Sequence, residues 1–356
     1  MMKLTDREWK PFAINTLFER FTPGKCSAVT HLEKSEYGIE YIGATNHNNG
    51  FLCYLAENEE NLKLVQDGNC IGFIKDGDGS AGYAIYKRES FVSTVNVIYG
   101  YASWLNSLTG LFFVGAQDMI KHKYSHGYKR NMQHLKADHV MLPADDNGQP
   151  DYQFMADYEL KLLDQKQSKI RSHVKQELAN LGSYVYLDDL NAREWSAFAL
   201  PDMFETERGR EKNMKSLIPG STPLVSAKKI NNGVKSFVGN PHKIISAGTI
   251  TLNNDGDGGA GLAYYQPINF ALDTHVTALH SRKRVSPYAL QFIAGSLSKQ
   301  HAVFGHGRSI SSPRAQRLKI MLPVNDQGQP DYDYMEQYIK NKMIQKYKKY
   351  LEYLGK

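Results

Sequence analysis

The chain contains little cysteine and no long hydrophobic run. Three cysteines, Cys26, Cys53 and Cys70, lie in the first fifth of the 356 residues, and none forms a C-x-x-C pair. An odd number of cysteines with this spacing argues against a disulfide framework or a zinc ribbon and favours a reducing compartment. The sequence has no run of about eighteen apolar residues, which is the length needed to span a membrane. The first ten residues lack the apolar segment of a signal peptide. We therefore expect a cytoplasmic protein.

The common motifs of enzyme active sites are also missing. The sequence contains no N-P-P-[FYW] or D-P-P-[FYW] tetrapeptide, no G-x-S-x-G, no P-loop and no H-E-x-x-H. Residues 77–82, GDGSAG, fit the G-x-G-x-x-G pattern of nucleotide sites, but a strand pattern follows them where such a site needs a helix. They therefore predict a glycine-rich hairpin turn. A half-match to a calcium loop fails because Ala81 and Lys87 replace the required glycine and glutamate.

The chain does contain one unit twice. Residues 141–155, MLPADDNGQPDYQFM, return at residues 321–335 as MLPVNDQGQPDYDYM. Other blocks repeat in the same order: residues 8–19 with 194–205, 41–50 with 224–233, 75–86 with 254–265, and 125–130 with 305–310. The preserved order and near-constant offsets indicate an internal duplication, which is the strongest signal in the sequence.

Each copy is predicted to be a strand-rich mixed unit followed by a long helix. Apolar or alternating runs between Gly, Asn and Asp turns indicate strands within residues 69–76, 83–100, 247–255 and 269–280. Apolar residues at three and four spacing predict helices within residues 103–120 and 286–300. After Pro150 and Pro330 the apolar period becomes helical and continues to Leu181 and Leu354. Two long helices with lysines on the outer face are therefore expected, the second shorter than the first.

One nuclease-like pattern lies at the start of the first long helix. Asp151, Glu159 and Lys161 mimic the P-D…E-x-K arrangement of metal-dependent nucleases. A single helix would not bring the two acids together, and the second copy has no acid before Lys340. Helix capping is therefore the preferred interpretation of Asp151.

Histidines cluster among basic and tyrosine residues in both copies. His122, His126 and His134 lie among lysines, tyrosines and an arginine, and His301 and His306 occupy the corresponding region of the second copy. This mixture is more typical of a loop that contacts a polyanion than of a metal site, with a solvated face as the alternative. The net charge of +6 favours a polyanionic partner only weakly.

Taken together, these features carry a family resemblance. Two tandem units, each with a Trp-x-x-Phe block, an LP…GQPDY…M block and a long helix, resemble the DNA-specificity (S) subunits of type I and type IIB restriction-modification systems. The resemblance covers nearly the whole chain. It implies an α+β fold in which two pseudo-symmetric mixed α/β target recognition domains, residues 1–149 and 184–329, are joined by two long antiparallel coiled-coil helices, residues 150–183 and 330–356.

The resemblance also implies a division of labour. Each target recognition domain would recognise one part of a bipartite site in double-stranded DNA, and the helices would hold the domains apart. Methyltransferase or fused methyltransferase-endonuclease subunits would dock on the chain. The chain itself would not be an enzyme and would hold no cofactor or metal, because S-adenosylmethionine and magnesium would be bound by the partner subunits. A first helix of roughly 45 Å compares with roughly 34 Å for one turn of DNA, so its length could set the spacing of the half-sites.

No fixed motif marks the DNA contacts of this family, so the candidates come from polarity and position in the repeat. They are Asn46, His47, Asn48, Lys129, Arg130, Lys228, Lys229, Arg308 and Arg314. Two alternatives stay open on the sequence alone: a stand-alone DNA nuclease or methyltransferase, and a scaffold that does not bind DNA.

Overall fold

The computed structural model describes residues 2–77, 79–125, 127–256, 258–305 and 307–355. The chain divides into two compact units, Met1–Ile170 and Arg171–Lys356, and the boundary falls inside the longest helix. Each unit combines three small sheets with a few helices.

The first unit is built on ten strands. They are β1 (Glu8–Ala13), β2 (Arg20–Pro23), β3 (Lys34–Ser35), β4 (Ile39–Ile42), β5 (Phe51–Leu55), β6 (Cys70–Ile74), β7 (Ala84–Lys87), β8 (Phe91–Ser93), β9 (Val97–Tyr101) and β10 (His139–Ala144). They form one antiparallel pair, β1-β10, and two four-stranded sheets of order β2-β9-β6-β7 and β3-β5-β4-β8. The helices are α1 (Ile14–Leu17), α2 (Glu59–Leu62), α3 (Ser107–Gln117), α4 (Met132–Ala137) and the long α5 (Tyr152–Leu181).

The core of the first unit lies between the β2-β9-β6-β7 sheet and α3. Phe18, Phe73 and Phe113 meet there, and Phe18 packs edge-on against each of the other two rings at 5.5 and 5.4 Å. Met155, in the first turn of α5, is fully buried in the same cluster. Burying such a side chain contributes roughly 1.5–3 kcal/mol, so the start of α5 is held firmly on the first unit.

The second unit repeats this plan. Its strands are β11 (Trp195–Ala199), β12 (Phe204–Arg208), β13 (Pro219–Val225), β14 (Val234–Val238), β15 (Ile244–Ile245), β16 (Thr249–Asn253), β17 (Ala263–Gln266), β18 (Phe270–Leu272), β19 (Val276–Ser281) and β20 (Lys319–Pro323). They form the pair β11-β20 and the sheets β12-β19-β16-β17 and β14-β13-β18-β15. The helices are α6 (Leu200–Met203), α7 (Pro287–Ser298), α8 (Ser312–Ala315) and α9 (Tyr332–Leu354). Met335 of α9 is buried in this core as Met155 is in the first.

The two units differ at the edges of one sheet. Strands β5-β4-β8 correspond to β14-β13-β18. The pairs β5-β4 and β14-β13 are antiparallel, and the pairs β4-β8 and β13-β18 are parallel. The first unit adds β3 beside β5, whereas the second adds β15 beside β18. The strands and helices predicted in both copies are confirmed, and so is the mixed α/β class. The edge strands β3 and β15 are two residues each and had no sequence signal.

Both long helices begin in the same way. The carboxylate of Asp151 accepts a hydrogen bond from the Phe154 N–H at 2.8 Å and pairs with Arg7 at 2.8 Å. At the start of α9, Asp331 accepts from the Tyr334 N–H at 3.0 Å and pairs with Arg193 at 2.5 Å. The predicted capping role is therefore confirmed, since a carboxylate at this position satisfies free N–H groups and favours the positive end of the helix dipole.

Within the second unit, the end of α5 runs antiparallel to α9. Arg171 donates a hydrogen bond to the carbonyl of Leu354, at the end of α9. Past the end of α5, the backbone N–H and carbonyl of Val185 bond the Asn341 side chain at 3.1 and 2.6 Å. Val174 and Leu181 of α5 are buried, as is Ile344 of α9. The helices have 30 and 23 residues, so the predicted difference in length is confirmed. In the part of the chain that the structure describes, no helix combines the length and apolar character needed to cross a bilayer.

Candidate functional site

A glycine-rich turn joins β6 to β7 in the first unit, and these strands pair antiparallel as the hairpin interpretation required. A Cβ on Gly77 would lie 2.2 Å from the carbonyl oxygen of Ala44. Gly82 has a φ of +87°, a conformation that L side chains rarely adopt. The turn is thus packed directly on the loop of residues 43–50.

Two predicted contact residues of the first unit bond this turn. The side-chain oxygen of Asn46 accepts a hydrogen bond from the Ser80 hydroxyl at 3.0 Å, and the Asn46 N–H donates to the same hydroxyl at 3.3 Å. From the other side, the Lys129 ammonium lies 2.5 Å from the carboxylate of Asp76. Asn46 and Lys129, 83 residues apart in sequence, therefore flank one turn.

His47 and Asn48 are presented by an unusual backbone. Asn48 and Asn49 have φ of 48° and 51°, in the left-handed region that asparagine tolerates better than most residues. The amide of Asn49 donates to the Tyr86 carbonyl at 2.7 Å, which fixes this conformation. His47 and Asn48 are both exposed beside the glycine-rich turn.

The second unit builds the same backbone. Asn231 and Asn232 have φ of 55° and 54°. The Asn232 amide donates to the Tyr265 carbonyl at 2.9 Å, which matches the bond from Asn49 to Tyr86. The two copies thus share a loop geometry that does not depend on the side chains that precede it.

Lys228 and Lys229 lie beside the glycine-rich turn of the second unit, residues 256–261, which corresponds to residues 77–82 of the first. The amide of Asn253 donates to the carbonyls of Lys228 and Gly259 at 3.2 and 3.1 Å, so one side chain joins the loop to the turn. Lys229 is exposed, and its ammonium passes over Gly258, where a Cβ would lie 2.3 Å from it. Lys228 is half-buried.

Arg308 and Arg314 approach this turn from the other side. The Ile310 N–H donates to the Asn254 carbonyl at 2.6 Å, which fixes the arginine loop against the turn. Arg314 donates to the Ser309 carbonyl at 2.7 Å, and both arginines are exposed. The structure therefore places the two segments that carry the four predicted cations of the second unit beside one turn.

The structure contradicts the prediction that Arg130 contacts DNA. Its side chain is 0% exposed and lies 2.8 Å from the carboxylate of Asp138. It also donates to the side-chain oxygen of Gln117 at 2.6 Å and stacks on Phe73 and Tyr124, 5.0 and 5.2 Å from the ring centres. Burial lowers the pKa of the guanidinium, and Asp138 opposes that shift. Arg130 is an interior ion-pair residue and is withdrawn as a candidate for DNA contact.

A polar cavity, which the sequence did not predict, lies beside the turn of the first unit. It has a volume of about 350 Å³, and Asp76, Tyr83, Lys121 and His122 line it. The Lys121 ammonium lies 4.2 Å from the centre of the Tyr83 ring, and a hydrogen bond to Tyr83 raises the pKa of Lys121. The second unit has Leu262, His301 and Ala302 at the positions of Tyr83, Lys121 and His122. Comparing the two copies position by position would have revealed this difference.

The histidines form no metal site among the described residues, which contain no group of three potential protein ligands. His134 stacks on Tyr128, with ring centres 4.5 Å apart, and Tyr128 stacks on Tyr124. His126 and His306 lie outside the described residues.

The nuclease-like pattern is structural. Both carboxylate oxygens of Asp151 are engaged, one by the Phe154 N–H and the other by Arg7. Glu159 lies two turns further along the same helix and lines an apolar groove, where burial raises its pKa. The two acids are therefore not arranged as a metal-binding pair.

Both units match one family. A model described as the type I restriction modification DNA specificity domain matches residues 6–172 and again residues 192–353. The chain belongs to this family. The specificity subunit S.BcgI of a type II restriction enzyme from Heyndrickxia coagulans is 23% identical over 342 residues, which cover 95% of this chain and 96% of that protein.

The fold is also that of a known S subunit. The crystal structure of a type I restriction-modification S subunit from M. genitalium aligns with a TM-score of 0.52 and 16% identity, over 99% of this chain and 94% of that one. The prediction of a restriction-modification specificity subunit with two repeated DNA specificity domains is therefore confirmed.

Proposed function

We propose that each unit contacts one part of a bipartite DNA site through its glycine-rich turn and the loops beside it. The chain acts without catalytic residues of its own. Double-stranded DNA is one partner, and methyltransferase or fused methyltransferase-endonuclease subunits are the others. Those subunits bind S-adenosylmethionine and magnesium.

The observation that carries this proposal is that the two units share one loop conformation but carry different side chains on it. Thr45, Asn46 and His47 precede the left-handed asparagines in the first unit. Lys228, Lys229 and Ile230 take their places in the second. Asparagine suits adenine and lysine suits guanine in the major groove, so the two units are suited to different half-sites.

Electrostatics support the same surface. Lys229, Arg308 and Arg314 are exposed around one turn, and no carboxylate pairs with any of them among the described residues. Cations in this arrangement displace counterions from phosphates, so affinity should fall steeply as salt rises.

The test is the variant Arg308→Ala in the complete complex. We expect binding of the cognate site to weaken about tenfold or more, and methylation of that site to slow, while assembly with the partner subunits is unchanged. Lys166→Ala, which removes an exposed lysine of α5, is the matched control and should change neither.

Normal methylation by the Arg308→Ala complex at every site would contradict the assignment of Arg308. Cleavage or methyl transfer by the isolated chain, supplied with magnesium and S-adenosylmethionine, would contradict the non-catalytic role. Methylome sequencing of cells that express the complete system would give both half-sites and the spacing between them.

A further inference from the structure

A polar cavity of about 350 Å³ lies between the glycine-rich turn of the first unit and the segment Asp118–Lys123, which follows α3. Asp76 and Tyr83 line it from the side of the turn, and Lys121 and His122 line it from the segment. The cavity is formed within the first unit. It therefore lies next to the surface that we assign to one DNA half-site.

Short contacts hold the walls of the cavity in place. A Cβ on Gly82 would lie 2.6 Å from the carbonyl oxygen of Lys121, so the turn and the segment touch directly. The Gln117 amide donates to the Gly82 carbonyl at 3.0 Å. The carboxylate of Asp118 accepts a hydrogen bond from the Ala84 N–H, also at 3.0 Å. A site with walls fixed in this way needs little rearrangement to receive a ligand.

The cavity contains a positive charge that no carboxylate neutralises directly. The Lys121 ammonium lies 4.2 Å from the centre of the Tyr83 ring, and none of the described carboxylates lies within ion-pair distance of it. The Asp76 carboxylate is already paired, because the Lys129 ammonium lies 2.5 Å from it. Lys121 is therefore the uncompensated charge of the lining, and an anion is the complementary ligand.

The second unit holds no ammonium at the equivalent place. The counterparts of Tyr83, Lys121 and His122 in the second unit are Leu262, His301 and Ala302. The ring of His301 is engaged by the backbone, since its Nδ1 lies 2.6 Å from the Ala260 carbonyl oxygen. The cation of the cavity is thus a property of the first unit.

The opposite difference occurs on the other side of the turn. Arg308 and Arg314 of the second unit correspond to Tyr128 and His134 of the first. These two rings stack with their centres 4.5 Å apart, and neither residue is a permanent cation. Each unit therefore has cations beside its turn, but at different places. Phosphates carry the same charge whatever the base, so both half-sites require such cations without fixing where they lie.

We propose that the cavity of the first unit binds one phosphate group of the DNA backbone. This inference rests on the proposed function, because DNA must reach the glycine-rich turn. The Lys121 ammonium pairs with the phosphate, His122 and the Ser125 hydroxyl donate hydrogen bonds to it, and Tyr83 positions the ammonium. An ammonium group binds phosphate as a compact charge with three donors. The contact fixes the register of the first unit on the duplex and carries no base preference.

The experiment measures DNA binding by the complete complex over a range of salt concentrations. Lys121→Gln removes the charge and keeps a long polar side chain. Affinity for the cognate site should fall about tenfold, since a charge-assisted contact is lost. The slope of log affinity against log salt should become shallower by about 1, as one phosphate contact is lost. The preference for the cognate site over altered sites should stay the same. Lys121→Arg, which keeps the charge, should retain the original slope.

Lys63→Gln is the matched control, because Lys63 is an exposed lysine of the same unit that does not line the cavity. It should change neither the affinity nor the slope. Thermal unfolding of each variant shows whether the fold is kept.

Neutral methylphosphonates, placed one at a time in the DNA, identify the phosphate. At one position in one half-site, the neutral group should weaken binding by the unchanged complex about tenfold and leave binding by the Lys121→Gln complex unaffected. An equal loss for both complexes at every position would overturn the inference. A changed base preference in the Lys121→Gln complex would also overturn it, since the cavity would then contact a base.

A free anion has the same chemistry as a backbone phosphate, so a protection experiment separates the two. Acetylation of Lys121, followed by mass spectrometry, should slow when cognate DNA is bound to the complex. Inorganic phosphate at millimolar concentration should leave the rate unchanged. If inorganic phosphate protects Lys121 and DNA does not, the ligand is a free anion and the inference is wrong.

The inference and the proposed function fail in different ways. If Arg308→Ala weakens binding as expected but Lys121→Gln leaves the salt slope unaltered, the phosphate site alone is refuted. If neither variant affects binding, the proposed function is refuted as well.

Discussion

Replacing the buried cluster around Arg130 with the residues of the second copy should preserve or raise stability. The cluster joins Arg130 to Asp138 and Gln117, and the Tyr124 hydroxyl donates to Asp138 at 2.8 Å. Equivalent backbone hydrogen bonds align Arg130 with Ile310 and Asp138 with Leu318. The corresponding residues of the second unit are Leu297, Phe304, Ile310 and Leu318, which all pack in one apolar cluster.

The magnitude follows from the surroundings of the charges. Removing Arg130 leaves the buried Asp138 carboxylate with only the Tyr124 hydroxyl and the exposed Lys123 ammonium, 3.4 Å away, so Arg130→Ala should lower the free energy of unfolding by about 3–5 kcal/mol. The polar cluster is imperfect, because the Nε of Arg130 is buried without a hydrogen-bond partner among the described residues. Such a donor costs about 1–3 kcal/mol.

The quadruple variant Gln117→Leu, Tyr124→Phe, Arg130→Ile and Asp138→Leu removes every charge together. We expect its free energy of unfolding to be unchanged or to rise by about 1–4 kcal/mol, as found when buried ion pairs are replaced by well-packed apolar groups. Intermediate variants that keep only one charge should be the least stable of the series.

Urea unfolding followed by circular dichroism, combined with DNA binding, separates the interpretations. A structural Arg130 predicts a lower midpoint for Arg130→Ala and full DNA specificity for the quadruple variant. If Arg130→Ala unfolds at the normal midpoint but loses DNA affinity, the assignment of Arg130 to the interior is refuted, and the original sequence-based assignment is right.

Two further predictions concern pH and capping. Asp151→Ala should cost about 1 kcal/mol in urea unfolding at neutral pH, because a helix cap is lost. Burial alone would raise the pKa of Asp151, but Arg7 and backbone N–H groups outweigh it and lower the pKa. This stabilisation is present above the unfolded pKa of about 3.9 and is lost as pH falls through the folded value. The hydrogen bond to Asp255 raises the pKa of His275, so that contribution is complete below about 6.5 and is lost as pH rises through the folded value. His275→Asn, which introduces the residue of the first copy, should remove this pH dependence, and NMR titration of the imidazole would show an unshifted pKa if the reasoning is wrong.

The fold was largely predictable because the duplication shows each pattern twice. The helices after Pro150 and Pro330 have the same capping block, and their apolar period is unambiguous. The short edge strands β3 and β15 were not predictable, since two residues carry no period and their pairing depends on neighbours distant in sequence.

The structure brings several of the predicted contact residues together, but it places one of them in the interior. Asn46 and Lys129 were chosen for polarity, and the structure brings both to one turn. Arg130 follows Lys129 directly and looks equally basic, yet its side chain turns inward to a carboxylate eight residues away. The charge of a loop residue does not show whether its side chain points to solvent or into the interior. The aligned Ile310 did carry that information, because an apolar residue in the same block indicates an interior position.

Divergence between the two copies distinguishes two kinds of constraint without any other sequence. In the interior, the four polar residues around Arg130 all correspond to apolar residues of the second copy, and a partial match would leave a buried charge unpaired. Beside the glycine-rich turns, the backbone was kept while Asn46 and Lys229 diverged, which suits two surfaces that face different bases. Difference on a shared backbone keeps the loop and changes what it can contact, whereas a matched difference in the interior keeps the packing and leaves no buried charge unpaired. The first kind of difference is what the proposed recognition of two half-sites requires.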